Sequence, residues 1–131
     1  MKLPNSKKWL RTIFWLRRNF PPAEPTFIRS ICMKGQNLCG ETELLRSYFY
    51  IRVNKAHTYR LKIDTLLHEW AHVLTWFGAE AETEDHGAEW GIMYAKLYRT
   101  FLEWDYGVSD RPENGKASVY RPLAGQKEFD F

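Results

Sequence analysis

Cysteine is scarce in this chain, with Cys32 and Cys39 its two examples and six residues between them. That spacing is no CxxC pair, so a zinc ribbon is excluded and no disulfide framework is expected. Both are read as small buried hydrophobes. Long apolar runs are missing too. The N-terminal "KKWLRTIFWLRRNF" begins like a signal peptide, but Arg11, Arg17 and Arg18 interrupt or flank its apolar stretch. No export signal and no transmembrane span are read, and the expected location is cytoplasmic, with no membrane partner. Internal repeats and low-complexity tracts are also lacking.

What is present is the composition of a folded protein. Of 131 residues, 44% are hydrophobic and 16% aromatic, enough for a single core, so residues 1–131 are read as one domain. The net charge of +3 conceals an uneven distribution. Residues 1–62 hold 13 Lys/Arg against 3 Asp/Glu, a balance of +10, whereas residues 63–131 hold 6 against 13, a balance of −7. A basic N-terminal part of this kind is either a solvated surface or a face for an acidic partner such as DNA.

Residues 6–19 read as a basic amphipathic helix, because Trp9, Ile13, Leu16 and Phe20 recur at helical spacing. "FPPAEP" ends it, since proline cannot continue a helix. β-branched and aromatic residues mark strands at Thr26 to Met33 and Ser47 to Val53, with "KGQN" and "CGET" as turn-like punctuation between them. In "YFYIRV" the alternation sets Phe49, Ile51 and Val53 on one face and Tyr48, Tyr50 and Arg52 on the other, as in a half-buried strand. A helix over about 64–77 follows, stopped by Gly78. After the acidic run "EAETED", Thr83 or Asp85 can cap a second long helix over about 86–104. The tail 105–131 reads as irregular. Strands followed by helices make the fold class α+β.

The first of those helices carries "TLLHEWAHVLTW", Thr65 to Trp76. At about 100° per residue, positions i and i+4 differ by only about 40°, so His68 and His72 share a face. Ile63, Leu66, Trp70, Val73, Leu74 and Phe77 cluster on the opposite side. A core histidine would sit within that apolar stripe, whereas both imidazoles point away from it. Two imidazoles so presented can each place a nitrogen about 2.0–2.1 Å from one Zn²⁺. Glu69 lies about 100° round from His68, close enough to take a proton from a water on the metal without being a ligand. Such a site needs a third ligand. The metzincin position, six residues after His72, is Gly78, which excludes that group and disfavours the bacterial zinc ribonuclease pattern. His86, in "EDHGAEWG", is the better candidate. It falls with Trp90, Met93, Leu97, Phe101 and Trp104 on one helix face, at the first turn of what is read as a buried side. Glu89, one turn further on, is the alternative ligand.

"TLLHEWAH" followed by "DHGAEW" resembles the SprT-like metalloproteases, the group that includes Spartan, over roughly residues 39–104. The resemblance implies a minimal zincin-like domain, with a small antiparallel sheet packed on the HExxH helix and a second long helix. It implies zinc as cofactor, His68, His72 and His86 as ligands and Glu69 as general base. It also implies an edge strand that holds an extended peptide, for which Ser47 to Val53 is the candidate, and substrates among DNA-associated proteins. The chain departs from many members in lacking ribbon cysteines, and its size is similar to stand-alone phage-type forms.

Two functions from different classes follow. One is a zinc-dependent endopeptidase acting on protein or peptide substrates, with Tyr94, Tyr98 and Tyr120 available to stabilise an oxyanion and nothing to select among them. The other is a nucleic-acid-binding module whose zinc is structural, supported by the basic, aromatic-interleaved N-terminal part. A closed structural site would want a fourth protein ligand and has no use for Glu69.

Overall fold

A computed structural model describes residues 3–33, 38–78 and 86–109. Helix α1 (Asn5–Asn19) leads into strands β1 (Thr26–Ile31), β2 (Gly40–Leu45) and β3 (Tyr48–Asn54), followed by helices α2 (Tyr59–Thr75) and α3 (Ala88–Ser109). The α+β class is as expected. The sheet is mixed, not wholly antiparallel: in the order β1-β3-β2, β1 pairs with β3 in parallel and β2 pairs with β3 antiparallel. The segment Ser47 to Val53, expected at an edge, is therefore the central strand.

β3 is central because its alternation is the strongest in the chain. Phe49, Ile51 and Val53 are fully buried against the helices, while Tyr48, Tyr50 and Arg52 face outward and are half-buried. β2 begins within "CGET", which is thus not a turn. Glu and Gly are poor strand formers, and the strand is held by its neighbour instead. Arg52 bonds Glu41 at 2.7 Å and also bonds Glu43, while Thr42 and Leu44 turn inward. β2 and β3 join through Arg46 and Ser47, and Arg46 takes a positive φ of 26°, which the tight hairpin requires. Both cysteines lie in the connection between β1 and β2, past the end of the sheet, and are exposed with free thiols. They are not the buried hydrophobes expected.

α2 starts at Tyr59, before the expected Asp64, because Thr58 caps it by accepting the Leu61 N–H at 3.3 Å. Its apolar side buries Ile63, Leu66, Leu67, Trp70, Ala71 and Val73. Phe77, placed on that side by periodicity, lies past the helix end and is 64% exposed. α1 covers the far side of the core. Trp15, outside the expected stripe, is fully buried and stacks on Trp104 of α3, with ring centroids 5.0 Å apart and planes 19° apart. Arg11 follows it inward, 5% exposed, and pairs with Asp105 at 3.3 Å. The Trp70 indole donates to the Phe20 carbonyl at 3.0 Å, tying α2 to the end of α1. No described helix is long and apolar enough to cross a membrane. The turn "KGQN", the candidate caps Thr83 and Asp85, Tyr120 and residues 110–131 lie outside the described residues.

Candidate metal centre

His68 and His72 stand one turn apart on α2, with ring centroids 5.0 Å apart. His86 reaches them from the turn before α3. Its Nε2 lies 3.1 Å from His72 Nε2 and 3.2 Å from His68 Nε2, and the ligand atoms of the three all lie within 4.8 Å of one another. The expected burial of His86 is not found. It precedes the helix and is exposed, and only its ring turns inward. The centroids of His68 and His72 lie 5.1 and 4.7 Å from that of His86, at tilts of 57° and 63°, so the three rings converge on a shared point.

The two separations from His86 are close to those of a coordination polyhedron. Three nitrogens at about 2.0–2.1 Å from a tetrahedral ion are about 3.3–3.4 Å apart. Hydrogen bonding does not account for them as well. A neutral imidazole Nε2 is either one donor or one acceptor, so His86 Nε2 satisfies one histidine in full and leaves the second contact uncompensated. A cation at the common point satisfies all three. The donor set therefore fits a divalent metal ion. Glu89 is not in this group, and its carboxylate lies against Gly78 instead, with Oε1 1.5 Å from where a Cβ on that glycine would stand.

Glu69 follows His68 on α2. It is buried, 6% exposed, on the side of α2 that faces β2. Oε1 accepts the Thr42 hydroxyl at 2.6 Å, and Oε2 lies 3.8 Å from His68 Nε2. The carboxylate is thus beside the imidazoles without joining them.

Trp90 forms the wall. Its ring stacks on His72 at 5.2 Å and 21°, meets the edges of His86 at 4.7 Å and His68 at 4.8 Å, and its indole N–H donates to the His68 carbonyl at 3.2 Å. Tyr94 stacks on Trp90 at 5.2 Å, and its hydroxyl donates to Asp64, one turn before His68. Burial and the Asp64 charge push the Tyr94 phenol well above its usual range. Tyr98 sits one turn further on, in a groove of about 300 Å³ shared with Tyr59, Arg60 and Asp64. Thr42 and Trp90 are the two site residues that sequence reasoning gave no site role. Trp90 has a local signal, being four residues after His86, while Thr42 has none because its partner is 27 residues away.

Comparison with protein-family models, curated proteins and solved structures finds no match.

Proposed function

We propose that this chain is a zinc-dependent endopeptidase acting on protein or peptide substrates, DNA-associated proteins among them. The observation that carries the reading is the combination of three convergent imidazoles with a buried carboxylate held next to them and outside their group. An all-histidine donor set suits zinc, and three protein ligands leave the fourth tetrahedral position open, as a hydrolytic site needs. The likeness of the two histidine motifs to the SprT-like metalloproteases supports the same reading.

When bound, zinc supplies Lewis acidity toward a water molecule and a peptide carbonyl oxygen. The chain's own residues do the rest. His68, His72 and His86 would hold the ion, and Trp90 packs against all three rings. Glu69 accepts the attacking water's proton at Oε2 and passes it to the amine nitrogen as the C–N bond breaks. Among the described residues β2 is an edge strand beside the centre, so an extended peptide added to its outer side runs past Thr42 and Glu69. This moves the peptide-holding edge from Ser47 to Val53 onto Gly40–Leu45. Of the described candidate tyrosines, Tyr94 stands beside the site, with its ring 5.7 Å from His68. Lys7 and Arg18 are exposed on α1, which supports substrates associated with DNA.

Metal analysis together with cleavage of a denatured protein tests the proposal. The wild type is expected to hold about one equivalent of zinc and to cleave, as a three-histidine hydrolytic site does. Glu69→Gln should keep the zinc and lose on the order of 10²-fold or more in turnover, the scale of general base catalysis. Zinc-loaded wild type that cleaves nothing, while still binding nucleic acid, would sink the enzyme reading in favour of a structural site.

A further inference from the structure

We infer that Thr42 is a positioning residue for Glu69, its hydroxyl fixing Oε1 so that Oε2 is presented to the three imidazoles. The inference rests on the hydrolytic reading above and adds to it a strand residue that neither histidine motif contains. A glutamate side chain has three rotatable bonds, and a base is effective only in the conformer aimed at its proton. Something must select that conformer. An ionised carboxylate can only accept hydrogen bonds, so Thr42 is the donor, and 2.6 Å is the length of a charge-assisted O–H···O⁻ bond.

The fold places Thr42 there through β2. Side chains on a strand alternate, and the inward set on β2 is Gly40, Thr42 and Leu44, while Glu41 and Glu43 turn outward to Arg52. Gly40 sets the distance between strand and helix. A Cβ on Gly40 would stand 2.6 Å from Thr65 Cγ2, 2.6 Å from the Arg52 carbonyl and 3.6 Å from Glu69 Cγ. Two of these are closer than real Cβ contacts, and one is to backbone, so the strand can lie this near α2 because residue 40 has no side chain. Two residues on, the Thr42 hydroxyl is thereby brought within reach of a carboxylate on the helix.

The competing account is that Thr42 merely satisfies a buried carboxylate and contributes to stability. A ligand probe separates the two without requiring the natural substrate. Acetohydroxamic acid chelates zinc and shares its acidic hydrogen with a neighbouring carboxylate, so its affinity reports where Oε2 is. Calorimetric titration of the zinc-loaded protein is expected to show Thr42→Val weakening binding about tenfold, as loss of a charge-assisted hydrogen bond would. Thr42→Ser should restore it to within about threefold by the same bond, and Thr42→Val should add nothing in a Glu69→Gln background. With a denatured protein substrate, Thr42→Val should lower kcat about tenfold at unchanged KM, the pattern of an interaction used in the transition state. Wild-type hydroxamate affinity in Thr42→Val, or equal weakening in both backgrounds, overturns the inference. Wild type that binds hydroxamate and follows the pattern but cleaves no protein removes the peptidase reading and leaves the Thr42 assignment standing. Should Thr42→Val fail to fold, Thr42→Ala is read by the same cycle.

Discussion

Trp15 and Trp104 stack at one end of this protein with planes 19° apart, and Trp90 and Tyr94 stack at the other with the same angle. The two clusters otherwise differ. In the first, both indoles are nearly free of solvent contact and Phe20 and Phe101 pack on Trp15 edge-on, so the rings fill space. In the second, Trp90 is half-buried and packs against three histidines, of which His86 is exposed. Here the rings pack on imidazoles that stay partly accessible. Similar aromatic packing thus fills the core at the α1–α3 end and lines three imidazoles at the α2–α3 end.

The largest effect that would separate the two belongs to the α1–α3 end. Trp15→Ala should cost about 3–5 kcal/mol, the range for removing a buried aromatic side chain. That is a large share of the roughly 5–15 kcal/mol available to a domain. Urea titration of zinc-saturated protein reads it, and the stabilising increment produced by zinc should survive. A Trp15→Ala variant that retains full stability but loses zinc would show that the ends are not separate.

His72→Ala should invert that result. Without metal its stability should lie within about 1 kcal/mol of the wild type, because the side chain is only half-buried and makes little of the core. With zinc at 100 times its dissociation constant the wild type gains about 2.7 kcal/mol by mass action, and the variant should lose most of that gain. Thermal melts with and without zinc make the measurement. Identical zinc dependence in wild type and variant would mean that the three imidazoles do not hold the ion.

The sequence revealed the second end more clearly than the first, and the reason is the range of the interactions. His68 and His72 are related by one helical turn, so spacing alone places them on one face. His86 and Glu69 follow from the chemistry of the pair. The Trp15 to Trp104 contact, the parallel pairing of β1 with β3, and the Thr42 to Glu69 bond join residues far apart in the chain, and no local period encodes them. β2 was illegible for a related reason. "GETELL" has weak strand propensity of its own, and its structure depends on pairing to β3 and on Arg52 between Glu41 and Glu43. Periodicity also overreached at Phe77, which continues the apolar stripe of α2 in sequence but stands beyond the last helical turn.

The smallest effect concerns pH and again concerns the α1–α3 end. Tyr59 opens α2 and lies half-buried near Asp105 and Arg11. Burial is the main cause that raises its phenol above the usual 10.0, with the Asp105 charge adding to it, while a bond with Thr12 and the Arg11 charge oppose. With the folded pKa above the unfolded one, the folded state holds the proton longer. The contribution is therefore complete below pH 10 and is lost as pH rises through the folded value. Tyr59→Phe cannot ionise, so its stability should fall less steeply than that of the wild type above pH 10, read as urea midpoints over that range. Zinc affinity at neutral pH should not change. An unaltered alkaline slope in Tyr59→Phe would assign the loss to other groups and remove Tyr59 from the account of how α1, α2 and α3 are held together.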